Sequence, residues 1–427
     1  MAEEKTETIL LTLTDMANGG DALGRDDNNR VVFVPYTIPG ERVRVEIQED
    51  KGRFAHGRLL EVLEPAPERV EPRCPHFGVC GGCVLQHADE ATYRSFKQAQ
   101  ITEALSRQGL EPPAWADPFY GAPGQRRRAA LAAVATTQGV LLGFHERASH
   151  RITDISVCPL LLPELEALLA PLRAVLGSIL KPGDRLSVRA TASDSGVDVL
   201  ISGGAALDLS AREALVEFAA QADLARLSWE EGQGAGPEPV LIRREPVIAF
   251  DGIEVPLPPE AFLQASRESE EALRGYVNSA IGKAKPVADL FAGLGTFALP
   301  LAKTRPVRAV EGEAASLAAL DKSAQRTPGL KPVEAQQRDL FESPLSVQEL
   351  DVFEAVIFDP PRAGAKAQCE ELAMSHVPLI VAVSCDAPTF ARDARILSDG
   401  GYRLEEIKLV DQFLWSAPVE LAAIFRR

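Results

Sequence analysis

The feature that most constrains this 427-residue chain is an alternation in its last third. Short, mainly apolar runs, Val287 to Phe291, Val307 to Val310, Phe353 to Phe358 and Leu379 to Val383, are separated by stretches of helical character. Runs of that kind belong to strands buried on both faces, and their alternation with helices predicts a doubly wound parallel sheet. In such sheets the ligand sits at the carboxyl ends of the strands. The unusual residues of the chain fall at those ends. A helix is expected near 262–281, on the spacing of Leu273, Tyr276, Val277, Ala280 and Ile281.

The first strand runs into Asp289-Leu290-Phe291-Ala292-Gly293-Leu294-Gly295-Thr296-Phe297, and the second ends at Glu311. Gly293 and Gly295 let the backbone pass beneath a nucleotide ligand, with Phe291 at the start of the loop, and an acidic residue at Glu311 suits the ribose hydroxyls. Gly293, Gly295 and Ala298 also fit a dinucleotide fingerprint, so an NAD-dependent iron–sulfur oxidoreductase is an alternative. Asp289 decides between them. A carboxylate beside the loop opposes an anionic pyrophosphate and suits the cationic ammonium and sulfonium of S-adenosylmethionine.

Two further strand ends carry reactive groups. One is Asp359-Pro360-Pro361-Arg362; the next is Val383-Ser384-Cys385-Asp386. A single strand–helix–strand unit separates Asp359 from Cys385, so both can face one cleft. Glu420, before the apolar run Leu421 to Phe425, opens a last strand. Cys385, Glu420 and Asp359 supply a nucleophile, a base and a group to hold a base edge. That set suits methylation of uracil carbon 5, an unreactive position until a thiolate adds to carbon 6. Cys369, in a helical segment, reads as a small buried hydrophobe.

The front of the chain reads differently. Residues 6–64 alternate short apolar runs with turn chemistry, as in Val31-Val32-Phe33-Val34, Pro39-Gly40 and Val43-Arg44-Val45-Glu46-Ile47, which predicts a small antiparallel barrel of about five strands. A helix is expected over 91–110 and another around 163–179. Between 119 and 250, β-type runs (Arg128 to Ala135, Val140 to Phe144, Asp198 to Ile201, Val240 to Arg243) point to a mixed central domain. Cys74, Cys80 and Cys83 lie close together, and Cys158-Pro159 follows far along the chain. Four thiolates at that spacing suit tetrahedral zinc or a 4Fe–4S cluster equally well.

The net charge of −16 counts against nucleic-acid binding unless one face is basic. Candidates for that face are Arg126, Arg127 and Arg128, then Arg147, His150 and Arg151, and Arg42, Arg44, Lys51, Arg53 and Arg58. No apolar stretch is long enough to span a bilayer, and Met1 to Lys5 lacks the apolar core of a secretory signal, so a cytoplasmic location is expected.

Phe262-Leu263-Gln264, Asp289 to Phe297, Asp359-Pro360-Pro361-Arg362, Ser384-Cys385-Asp386 and Pro418-Val419-Glu420 together resemble the bacterial RNA 5-methyluridine methyltransferase family over nearly the whole chain. The resemblance implies that Cys385 is the nucleophile and Glu420 the proton-abstracting base. It implies that Gln264, Glu311, Asp359 and the glycine loop line the cofactor and uracil sites. It further implies that Cys74, Cys80, Cys83 and Cys158 hold a 4Fe–4S cluster rather than zinc. The expected fold class is α/β, a class I S-adenosylmethionine-dependent sheet over 251–427. Before it come a TRAM-like (OB-like) barrel over 1–65 and a central mixed α+β domain over 66–250. Barrel and cysteines together match the branch acting on 23S ribosomal RNA, with transfer RNA as the alternative substrate and no obligate protein partner evident. A third reading is an RNA chaperone that has lost activity. The family often has Cys at Ala292, Asn at Asp386 and His at Pro418, and none of these departures removes a reacting group.

Overall fold

The computed structural model describes residues 7–232, 234 and 236–427; Met1 to Lys5 lies outside them. The chain divides into two compact units. One contains residues up to Gln100 with His145–Thr153 and Phe413–Pro418; the other contains Ile101–Phe144, Asp154–Gln412 and Val419–Arg427.

In the first unit the strands Thr8–Met16, Ala22–Arg25, Val31–Val34, Arg42–Asp50 and Phe54–Glu64 form a closed barrel. The first strand pairs with the fourth, from Thr8 opposite Glu46 to Thr12 opposite Arg42. Period-two patterning does the sorting: Val43, Val45 and Ile47 point inward with Leu11, Leu13, Val32 and Val34, while Arg42 and Arg44 face water. Gly24 permits the tight crossing, because a Cβ there would lie 2.3 Å from the Thr12 carbonyl oxygen.

The expected basic surface is not free. Arg42 pairs with Glu64 at 3.1 Å, Arg44 with Glu61 at 2.9 Å, Arg58 with Glu46 at 2.6 Å, and Lys51 with Glu49. Arg147 pairs with Asp21, and Arg151 with Glu146 at 2.9 Å. Acidic partners on the neighbouring strand offset Arg42, Arg44 and Arg58, and partners a few residues away offset Lys51 and Arg151. The helix expected over 91–110 is Glu90–Arg107, ending two residues before Gly109, whose φ of 69° no helix continues through.

In the second unit, strands Arg128–Thr136, Arg185–Ser193, Gly196–Gly204 and Arg226–Glu231 lie side by side in a mixed sheet. The helix expected at 163–179 comes in two pieces, Pro163–Glu166 and Leu169–Ile179. Pro171 stands in the first turn of the second piece, where its missing N–H costs nothing.

The site is carried by the largest sheet of this unit. Its strands, in chain order, are β1 (Val287–Leu290), β2 (Val307–Glu311), β3 (Val333–Gln337), β4 (Ala355–Phe358), β5 (Leu379–Ser384), β6 (Arg403–Asp411) and β7 (Leu421–Arg426). The order across the sheet is β3-β2-β1-β4-β5-β7-β6, and two short strands, Ala114–Trp115 and Phe119–Tyr120, pair with β6 at its far side. The first five are parallel, and β7 runs antiparallel between β5 and β6. Every residue of β1, β4 and β5 is buried, as strands covered on both faces must be. Leu290 lies opposite both Val310 and Phe358, and Phe358 opposite Ala382. Register alone therefore brings Phe291, Glu311, Asp359 and the Ser384-Cys385 corner to one edge. The helix expected from 262 begins at Arg267. Ser266 caps it by accepting the Ser269 N–H, so 262–266 is left as an extended strap.

Candidate active site

Asp289 is the one charged residue in β1 and is wholly buried. Its Oδ2 accepts the Ala298 N–H at 2.8 Å, while Oδ1 has no partner. Burial, with Asp359 and Glu311 nearby, holds its carboxyl well above the usual range. The loop after β1 is shaped for a ligand. Phe291 and Gly293 have φ of 60° and 53°, and a Cβ on Gly293 would meet only open space. Gly295, at φ 89°, is required for packing, since a Cβ there would press on Leu299 and Leu320 at about 3 Å. Glu311 Oε2 accepts the Gly293 N–H at 2.8 Å, tying the end of β2 to the loop. Phe291 packs on Phe341, whose N–H is held by Asp339 beyond β3; the ring centroids are 5.4 Å apart. Neither Asp339 nor Phe341 was singled out in the sequence, because the third strand lacks a strong apolar run.

At the next strand ends the side chains form one hydrogen-bonded chain. Gln264 Nε2 donates to Asp359 Oδ2 at 3.0 Å. Gln412 Nε2 donates to Gln264 Oε1 and to Glu420 Oε2, both at 2.6 Å. The Ala265 N–H donates to Gln412 Oε1 at 2.6 Å. Glu420 is 2% exposed and its Oε1 has no partner. Burial, then the charge of Asp359, pushes the Glu420 carboxyl well above its ordinary value, and burial lifts Asp359 to about 7. Cys385 is half-buried beside them. Burial, Glu420 and Asp359 together push its thiol up to about 12, against the opposing pull of Arg362. At rest the sulfur is a thiol. The departure at Asp386 has a local role, because its side chain accepts the Thr389 N–H at 2.9 Å and caps helix Ala387–Asp399.

Gln412 escaped the sequence reading although it follows β6 directly, and the strand-end rule applied to Asp411-Gln412 would have found it. Arg127, expected on a basic face, is instead an internal residue. It is 3% exposed, donates from Nε to the Gln264 carbonyl at 3.0 Å, and forms an ion pair with Glu270. Glu270 in turn holds Arg274 at 2.9 Å. Arg128 donates to the Leu263 carbonyl at 2.6 Å and lies over the Phe262 ring. These arginines brace the strap that presents Gln264. Cys369 is fully buried, as expected of a hydrophobe.

The cysteines expected to bind metal are divided between the two units. In the first unit the Cys74 N–H donates to Gln86 Oε1 at 3.0 Å, and burial raises the Cys80 thiol, with Cys74 adding to the shift. Cys158 belongs to the second unit, where its N–H donates to Glu166 at 2.8 Å. Among the described residues, no three His, Cys, Asp or Glu side chains are arranged to hold a metal ion. Also among the described residues, no helix is long and apolar enough to cross a membrane.

Residues 3–60 match the TRAM domain family. The chain is 44% identical over 429 residues to an uncharacterized RNA methyltransferase of Brucella suis biovar 1, covering 100% of this chain and 99% of that one. It is 34% identical to the 23S rRNA (uracil(1939)-C(5))-methyltransferase RlmD of Chromohalobacter salexigens, over 98% of this chain and 89% of that protein. The fold matches Pyrococcus abyssi tRNA (uracil-54, C5)-methyltransferase in complex with S-adenosyl-L-homocysteine with a TM-score of 0.75. The sequence identity there is 22%, over 97% of this chain and 99% of that one. These relatives displace the oxidoreductase alternative, and the chain belongs to the family of RNA (uracil-C5) methyltransferases.

Proposed function

We propose that this protein methylates carbon 5 of a uridine in 23S ribosomal RNA, using S-adenosylmethionine, through a covalent adduct on Cys385. The observation that carries the reading is the convergence of Cys385 with two buried, hydrogen-bonded carboxylates, Asp359 and Glu420, at the strand ends. Asp289 keeps one buried oxygen without a partner beside the loop, and a cationic donor placed there would favour its ionised form, with Glu311 at the end of β2 adding a second carboxylate. Gln264, Asp289, Phe291, Gly293, Gly295, Glu311 and Asp359 would hold it. When bound, S-adenosylmethionine supplies an electrophilic methyl group on a sulfonium.

The chain's own residues do the rest. Cys385, half-buried, gives up its proton to solvent, and its thiolate adds to carbon 6 of the uracil, moving electron density to carbon 5. Gln264 and Asp359 hold the base edge. Once carbon 5 carries the methyl group, Glu420 in its carboxylate form takes the remaining carbon 5 proton on Oε1, and the Cys385–carbon 6 bond breaks with its electron pair leaving on sulfur as the thiolate. A thiol held up to about 12 is mostly protonated at neutral pH, so the rate should climb with pH above 7.

The test is incubation of purified protein with labelled S-adenosylmethionine and unmodified 23S RNA, with transfer RNA in parallel. Label recovered as 5-methyluridine in 23S RNA supports the reading. Label only in transfer RNA keeps the chemistry and replaces the substrate. The 34% identical relative named for uracil 1939 of 23S rRNA supports the first outcome.

We further propose a domain division and a metal centre. Residues 1–65, 66–250 and 251–427 act as barrel, central and methyltransferase domains in the cytoplasm. Cys74, Cys80, Cys83 and Cys158 bind a 4Fe–4S cluster; this rests on family resemblance alone, and no catalytic step is derived through it. Iron and acid-labile sulfide in protein purified without oxygen would support the cluster; stoichiometric zinc would replace it.

A further inference from the structure

The network joining Asp359 to Glu420 has a direction, and one residue sets it. The Ala265 N–H is a backbone donor, so the atom of Gln412 that meets it must be the acceptor Oε1. Nε2 of Gln412 then faces both Gln264 and Glu420 at 2.6 Å. Gln264 must answer with its own oxygen, which leaves its Nε2 as the donor to Asp359 Oδ2 at 3.0 Å. No amide here can turn over without setting donor against donor or acceptor against acceptor. Gln412 and Gln264 are both buried, where an unmatched contact costs about 1–3 kcal/mol.

Resting on the function proposed above, we infer that Gln412 determines base specificity by locking the Gln264 amide in one orientation. In that orientation Gln264 offers an N–H and Asp359 an acceptor oxygen to the base. Uracil complements this pair, presenting its O4 acceptor and its N3–H donor. Cytosine presents an amino donor and an N3 acceptor at the same two places, and so meets like with like. The same Nε2 engages Glu420 at Oε2, which leaves Oε1 for the carbon 5 proton. Gln412 is thus a positioning residue with two outputs, and it need not touch the reacting atoms.

The experiment compares methyl transfer to the RNA that wild type modifies with transfer to the same RNA carrying cytidine at the target. Gln412→Met removes the lock while keeping the volume. Gln412→Glu accepts from both the Ala265 N–H and Gln264 Nε2, turning the Gln264 oxygen toward the base. The uridine-over-cytidine ratio of kcat/KM should fall about tenfold or more in Gln412→Met and further in Gln412→Glu. A structural lesion lowers both rates together and leaves the ratio alone. An unchanged ratio, or cytidine product no higher than wild type's, overturns the inference. Should Gln412→Met fail to fold, Gln412→Asn, one methylene too short to span the network, takes its place. Wild-type protein that makes no 5-methyluridine at all removes the underlying reading, and that result is in hand before any variant is compared.

Discussion

On the barrel, Arg42, Arg44 and Arg58 face water opposite Glu64, Glu61 and Glu46. At the strand ends of the second unit, Asp289, Asp359 and Glu420 are buried, with amides and a backbone N–H as their hydrogen-bond partners. Exposed pairs of the first kind contribute about 0.2–1 kcal/mol each and weaken with salt. Buried carboxylates of the second kind destabilise the fold by several kcal/mol unless protonated or paired. The difference separates charge that keeps a surface soluble from charge kept at a cost, and charge of the second kind marks a site.

The comparison can be broken most severely at the nucleophile. Cys385→Ala should lower 5-methyluridine formation about 10⁴-fold or more while leaving thermal unfolding within a few degrees of wild type. Residual transfer within tenfold of wild type would remove Cys385 from the mechanism. Glu420→Gln is expected next. It should allow methyl transfer yet slow release by about 10²–10⁴-fold, leaving a protein–RNA adduct that migrates slowly in denaturing gels. Methyl transfer without that adduct would assign the base role elsewhere.

Asp289→Asn keeps an oxygen for the Ala298 N–H and removes the charge. Binding of S-adenosylhomocysteine, measured by calorimetry, should weaken about 10–100-fold, as loss of a charged hydrogen bond predicts. The ligand-free protein should meanwhile gain stability at neutral pH.

A fourth prediction concerns pH. Burial holds Asp359 up to about 7, above its ordinary value of 3.8. Between those values the folded state binds the extra proton, so this group's penalty is absent at low pH and grows as pH rises toward 7. Asp359→Asn should therefore stabilise the ligand-free protein at pH 8 and make little difference at pH 4, as read by denaturant unfolding. Equal effects at both values would deny the buried carboxylate its cost. The smallest effect belongs to the barrel: Arg44→Ala should shift stability by less than about 1 kcal/mol.

Much of the fold was legible. The apolar runs of β1, β2, β4 and β5 were visible because strands buried on both faces carry a continuous signal. The barrel was visible for the opposite reason: Val43, Val45 and Ile47 alternate with residues facing water. The third strand, Val333–Gln337, was missed because its Glu334 and Gln337 are exposed at the sheet edge. Ion pairs such as Arg44 with Glu61 join separate strands, and linear charge counts do not see such partners.

The sequence by itself determined which residues stand at strand ends, since the period of the apolar pattern marks where each strand stops. That was enough to single out Asp289, Glu311, Asp359, Cys385 and Glu420 as one set. Only the tertiary structure decided how they are held. Arg127, far from Gln264 in the chain, braces its carbonyl, and Gln412 bridges Gln264 to Glu420. Those partners are chosen by distance and by the direction of each donor. Both are properties of the folded backbone, and neither leaves a trace in the local pattern of residues.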